Sequence, residues 1–186
     1  MMFLLNGPPR SGKDEVARMI GRILGPDCVG HWKLSKQLKL RTHAMYGLRK
    51  VSGAALDADH FEAVKDEPRP EFLGLTPRQA YIDAHERYWK PVHGERILGE
   101  FLAKEIAASP FDLQHAVVSD AGDREQCMPL LDLFGAGNVI LIRLRRDGCT
   151  WDNRREFDLP EAQVTFTLEN NGTLGGLEEV LRKCLA

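Results

Sequence analysis

Gly7-Pro8-Pro9-Arg10-Ser11-Gly12-Lys13-Asp14 follows the apolar run 2–6 (MFLLN) and precedes a stretch with helical spacing. In that stretch Val16, Met19, Ile20 and Ile23 fall at i, i+3, i+4 and i+7, and Gly25-Pro26 stops the pattern. The eight residues match G-x-x-x-x-G-K. A strand before the pattern and a helix after it are the context that makes it a phosphate-binding loop. The physics is that of a helix N-terminus, where backbone N–H groups and the helix dipole both favour an anion. Pro8 and Pro9 have no N–H, so the donors come from Arg10 through Asp14. Gly7, Arg10, Ser11, Gly12, Lys13 and Asp14 are thus the expected polyphosphate-binding residues, with Lys13 reaching the terminal phosphates. A Ser or Thr hydroxyl usually follows the lysine and ligates magnesium. Here Asp14 supplies a carboxylate, also a hard oxygen ligand, expected to hold the ion directly or through water.

Working outward, residues 27–33 read as a second strand, and Ser35 opens a helix to about Gly47 with Leu38 and Met45 inward. Residues 50–75 carry little periodicity. Thr76-Pro77 restarts a helix as N-cap and first-turn proline, running to about Lys90 with Tyr81, Ala84 and Tyr88 on one face. Another helix covers about 95–108, with Leu98, Leu102 and Ile106 at i+4 intervals. The last third alternates: strand 114–119, helix 123–134, strand 138–144, an irregular basic stretch, strand 163–168, and a helix from about Leu174. Strands separated by helices of this length imply a parallel sheet with helices on both faces. The expected architecture is one three-layer α/β/α domain over 1–186, with a helical insertion at 50–110 and a lid-like segment at 145–160.

With 186 residues, the chain suits one domain with a sizeable core. A net charge of −2 excludes the whole-surface basic footprint of a nucleic-acid binder. No apolar run approaches the ~20 residues that span a membrane, and MMFLL stops at Asn6, too short for a secretory core. Four cysteines without a CxxC pair or zinc spacing fit a reducing, cytoplasmic setting. The six histidines show no pairing with a nucleophile. A homodimer stays open.

Arginine outnumbers lysine 16 to 9, and five arginines lie between 143 and 155: Arg143, Arg145, Arg146, Arg154 and Arg155. Beside a phosphate loop, such a cluster suggests a lid that closes over the phosphates and neutralises transition-state charge. Arg143 and Arg146 are its candidate catalytic members; the bland reading is a solvated loop paired with Asp147, Asp152, Glu156 and Asp158. Strand alternation puts Arg143 and Arg145 on one face. Asp120 ends an apolar strand at the carboxyl edge of the sheet, where ligands bind. It is expected either to hold magnesium or orient the acceptor, or to cap the next helix. Arg78 and Gln79, in the first turn after Thr76-Pro77, could receive an acceptor phosphate and its base, with Arg41 and Lys39 as weaker candidates. Tyr81, Tyr88 and Trp89 could stack on a base, though aromatics at helical spacing more often build a core.

The SGKD loop, WKLSKQLK, YGL, LTPRQ, VVSD, VILIRLRRDG and ENNGTLGGLEEVL occur in this order. The chain thereby resembles the phage-type deoxynucleoside monophosphate kinases, relatives of adenylate kinase among the P-loop kinases. The resemblance covers most of the chain and is weakest at about 50–70 and 147–162. It implies ATP- and Mg2+-dependent phosphoryl transfer to a (deoxy)nucleoside 5′-monophosphate. Two positions depart from the family pattern: Glu15 where Thr is usual after SGKD, and Asp120-Ala121-Gly122 where D-x-R is usual. The residues also leave open a kinase for another small metabolite and a nucleotide-binding regulatory module without turnover.

Overall fold

The computed structural model describes residues 1–109, 114–151 and 156–185. Five strands form one parallel sheet: β1 (Met2–Asn6), β2 (Val29–Trp32), β3 (His115–Val118), β4 (Val139–Arg145) and β5 (Val164–Glu169), in the order β2-β3-β1-β4-β5. The strand that feeds the glycine loop is therefore central, paired with β3 on one side and β4 on the other.

Strand alternation divides the core into two layers. Met2 and Leu4 of β1, Ala116 and Val118 of β3, and Val139 and Leu141 of β4 face one side. There they meet α2 (Leu34–Met45), α5 (Ile97–Ala107) and α6 (Arg124–Phe134). Phe3, Leu5, Val117, Ile142 and Leu144 face the other side, against α1 (Lys13–Leu24) and α7 (Leu174–Leu185). This is the expected three-layer arrangement. Among the described residues no helix is long and apolar enough to cross a membrane.

The insertion between α2 and α5 holds α3 (Pro77–Ala84) and the single turn α4 (Lys90–His93). Thr76 caps α3 reciprocally: its hydroxyl accepts from Gln79 N at 3.1 Å, while Gln79 Oε1 accepts from Thr76 N at 3.0 Å. The helix runs past Ala84 as expected, but residues His85–Trp89 widen into a π turn. That extra residue per turn breaks the 3.6 spacing, so Tyr88 leaves the Tyr81/Ala84 face and is exposed. Met45, expected inward, is also exposed, because α2 ends there and Tyr46 turns the chain. Helices α5 and α6 approach closely at Gly99. A Cβ built there would stand 2.0 Å from the Gln126 carbonyl oxygen of α6.

The insertion has a small core of its own, with Phe61, Phe72 and Ala80 packed against Tyr46, Leu75 and Tyr81. His43 is buried within it, its Nε2 2.8 Å from the Tyr81 hydroxyl and its Nδ1 without a partner among the described residues. Burial lowers its pKa from 6.5 to about 4, helped by the nearby charges of His60 and Lys39. The unfolded chain therefore takes up this proton at a higher pH than the native one. Its contribution to stability is complete above about pH 6.5 and is lost as the pH falls toward 4. Urea unfolding should show the wild type losing about 1.5 kcal/mol more than His43→Asn between pH 6.5 and pH 5. Equal losses would place the histidine in an ordinary environment.

Candidate active site

β1 delivers the chain to a loop with two left-handed residues, Arg10 at φ 66° and Gly12 at φ 98°. For glycine this conformation is free of Cβ strain; for arginine it costs about 1–2 kcal/mol, the kind of strain that collects at functional sites. Ser11 N donates to Pro8 O at 3.3 Å and closes a tight turn, and Gly12 stands as N-cap of α1. The first amides of α1, starting at Lys13, have no acceptor within the helix and suit an anion. The Lys13 ammonium folds back over the loop, donating to Gly7 O at 2.8 Å and Pro8 O at 2.7 Å.

The loop is braced from across the sheet. Asn170, buried just beyond β5, donates through Nδ2 to Ser11 O at 2.8 Å, and its own N–H donates to Arg145 O at 2.8 Å. Asn6 Nδ2 donates to Ala121 O at 2.9 Å, tying the end of β1 to the segment after β3. Arg146 NH1 reaches Arg10 O at 3.3 Å, which brings one guanidinium of the predicted lid to the loop.

Asp14 lies one residue into α1 and meets the end of β3. Its Oδ1 accepts from Ser119 Oγ at 2.7 Å, and Lys33 Nζ sits 3.1 and 3.2 Å from its two oxygens. Partial burial works to raise its pKa, but the hydrogen bonds from Ser119 and Lys33 and the Lys33 charge outweigh it and hold the carboxyl below its ordinary value. Ser119 is itself 2.7 Å from His31 Nε2. A carboxylate beside a hydroxyl is a set of hard oxygens, the donor chemistry that magnesium takes.

No family model matches this chain. No curated protein matches it either. Among solved structures, the chain is similar to thymidylate kinase from Candida albicans, with a TM-score of 0.45 and 11% identity over 99% of this chain and 90% of that one. The chemistry is therefore read from the side chains.

A cavity of about 560 Å³ runs from Arg10, Lys13 and Asp14 past the start of α2 into the insertion. Lys65, Arg78, Tyr81 and His85 line its outer part, with Leu38 and Leu98 as apolar walls. Arg78 holds Asp66 through two contacts, Nε to Oδ1 at 2.6 Å and NH2 to Oδ2 at 3.3 Å. Lys39 lies between Asp59 (2.7 Å) and Glu62 (2.9 Å).

Four expected site residues have other partners. Asp120, expected at the metal or the acceptor, accepts from Leu34 N at 2.6 Å and Ser35 N at 2.9 Å, so it caps α2 across the sheet edge. The cap of α6 is Asp123, which accepts from Glu125 N at 2.8 Å. Arg143, expected in the lid, donates through Nε and NH2 to Phe157 O at 3.2 and 2.9 Å and pairs with Asp158. With Arg145 on Glu156 at 2.9 Å, it straps β4 to the returning chain. Gln79 is used in the α3 capping box, and the Arg41 guanidinium lies 3.7 Å from the Phe101 ring centroid and 5.5 Å from that of Trp89. Neither lines the cavity. The predicted roles of Arg154 and Arg155 fall outside the described residues.

Sequence reasoning missed Lys33, Ser119 and Asn170. Ser119 adjoins Asp120, and a serine there carries no signal of its own. Asn170 has nothing local to link it to a loop 159 positions earlier.

Proposed function

We propose that this chain transfers the γ-phosphoryl group of ATP to a (deoxy)nucleoside 5′-monophosphate, giving ADP and the nucleoside diphosphate. The observation that carries the reading is the single cavity joining the phosphate loop to the insertion. Its inner end offers helix amides and Lys13 for a polyphosphate. The outer end sets Lys65 and Arg78 beside Leu38, Tyr81 and Leu98, a pairing that suits a molecule with an anionic end and a flat apolar one.

Phosphoryl transfer asks the protein for position and charge neutralisation. The amides from Gly12 to Asp14 hold the donor phosphates, and Lys13 exchanges its loop carbonyls for phosphate oxygen. Arg146 stands at the loop rim to offset charge on the transferred group. Arg78 exchanges Asp66 for the acceptor phosphate. An oxygen of that phosphate attacks the γ-phosphorus as the bond to the ADP oxygen breaks. Asp14 is the residue that would hold magnesium, which, when bound, neutralises charge on the donor phosphates. A phosphate acceptor is already anionic and needs no general base. That favours it over a hydroxyl acceptor, since both oxygens of Asp120 already accept backbone N–H groups.

A coupled assay across the common ribo- and deoxyribonucleoside monophosphates tests the reading: ADP formation should require both an acceptor and Mg2+. Arg78→Ala should raise the acceptor KM about tenfold while lowering kcat less. ATP hydrolysis indifferent to every monophosphate would overturn the assignment. An unchanged acceptor KM in Arg78→Ala would remove that arginine from the site.

A further inference from the structure

We propose that the two protein oxygens that hold magnesium are exchanged between loop and strand, the carboxylate standing on the loop as Asp14 and the hydroxyl on β3's end as Ser119. The proposal rests on the nucleotide-binding reading above and deepens it. In loops of this kind a hydroxyl after the lysine and an acid at the end of a neighbouring strand share the ion. Here the position after Lys13 is Asp14, and β3, one of the two strands paired with β1, leads directly into Ser119. The two side chains meet at 2.7 Å, so the hydroxyl–carboxylate pair is complete with its members in reversed places.

Asp120 is the obvious acid on that strand end, but its carboxylate is engaged with the amides of Leu34 and Ser35. Both residues line the cavity, but Ser119 is the one whose side chain meets the loop, at Asp14 Oδ1.

Hydrogen-bond counting leaves room for an ion. Ser119 gives its proton to Asp14 Oδ1 and therefore accepts from His31 Nε2, 2.7 Å away, which uses one of two hydroxyl lone pairs. The second lone pair is available beside the Asp14 carboxylate. Lys33 now straddles both oxygens of that carboxylate and gives them up when the ion binds. Among the described residues no group of three or more His, Cys, Asp or Glu could hold a metal. One carboxylate with one hydroxyl suits magnesium, which keeps waters and phosphate oxygens in its remaining positions.

Calorimetric titration of the full chain with ATP, once in EDTA and once in excess Mg2+, measures how much the metal tightens the nucleotide. Asp14→Ser should cut that tightening about tenfold or more. The same variant should bind metal-free ATP more tightly than wild type, because a negative charge beside the phosphates is gone. Ser119→Ala should weaken the metal effect in the same direction. The double variant Asp14→Ser/Ser119→Asp, which restores the usual placement, should regain most of it. Asp120→Asn should stay within about twofold of wild type. Retained binding of metal-free ATP reports an intact loop in every variant. The proposal is overturned if Asp14→Ser keeps the wild-type metal effect, or if the double variant does no better than Asp14→Ser. Wild-type chain that binds ATP under neither condition would remove the nucleotide reading itself.

Discussion

Lys13→Ala should lower kcat by about 10³-fold while leaving the fold intact. The ammonium has two successive sets of partners. Before nucleotide arrives it bridges Gly7 O and Pro8 O, offsetting carbonyl charge that converges at the loop mouth. In the proposed transfer it then meets the phosphates whose charge shifts as the γ-phosphoryl moves. Removing it forfeits the second interaction where little water is available to replace it. ATP affinity should weaken less than kcat, because the amides at the start of α1 remain. Lys13→Arg is the informative companion: it keeps the charge, but a planar guanidinium cannot take the place of a compact ammonium between two carbonyls. It too should be strongly impaired. Single-turnover kinetics with a saturating monophosphate distinguish loss of chemistry from loss of binding. More than a tenth of wild-type kcat in Lys13→Ala would take the lysine out of the reaction.

Gly99→Ala should destabilise the protein by about 3 kcal/mol, lowering Tm by roughly 10 °C. The added methyl would stand 2.0 Å from Gln126 O, 2.9 Å from Gln126 C and 3.1 Å from Pro129 Cδ. Two of those atoms are backbone, so the neighbour cannot rotate away and α5 and α6 must separate. Leu98 and Leu102 on α5 and Leu130 and Leu131 on α6 are all buried in the shared core and would lose packing together. Gly21 in α1 is the matched contrast, since a Cβ there meets nothing within 4 Å. Gly21→Ala should stabilise by about 0.5–1 kcal/mol, because alanine restricts the unfolded chain and suits a helix. Thermal unfolding of the two variants should therefore move in opposite directions. A Gly99→Ala protein as stable as wild type would mean the two helices are not in contact at this point.

The glycine loop between β1 and α1 was legible because everything that defines it is contiguous: an apolar strand, two glycines, a lysine and a helical period within residues 2–24. Likewise, the parallel sheet followed from alternating strand and helix patterns. The strand order did not, because β1 pairs with residues 116–118 and 139–143, and local patterns do not name distant partners. The same reason explains the site. Asp120 was visible as an acid at a strand end, but its partners, Leu34 and Ser35, lie 86 and 85 positions earlier. Arg143 was visible as a cation near the loop, but the Phe157 carbonyl that holds it belongs to a stretch without periodicity. The π turn at His85–Trp89 has no composition signature, so Tyr88 was assigned to a helix face that the chain had already rotated away.

Asn170 sets a timetable for synthesis. The Ser11 carbonyl of the loop is held by a side chain that is made 159 residues after it. Among the described residues β1 has no ladder partner until Ala116 and its successors emerge. The nascent chain thus carries an apolar strand and a glycine turn without this brace until the segment beyond β5 is made and docks.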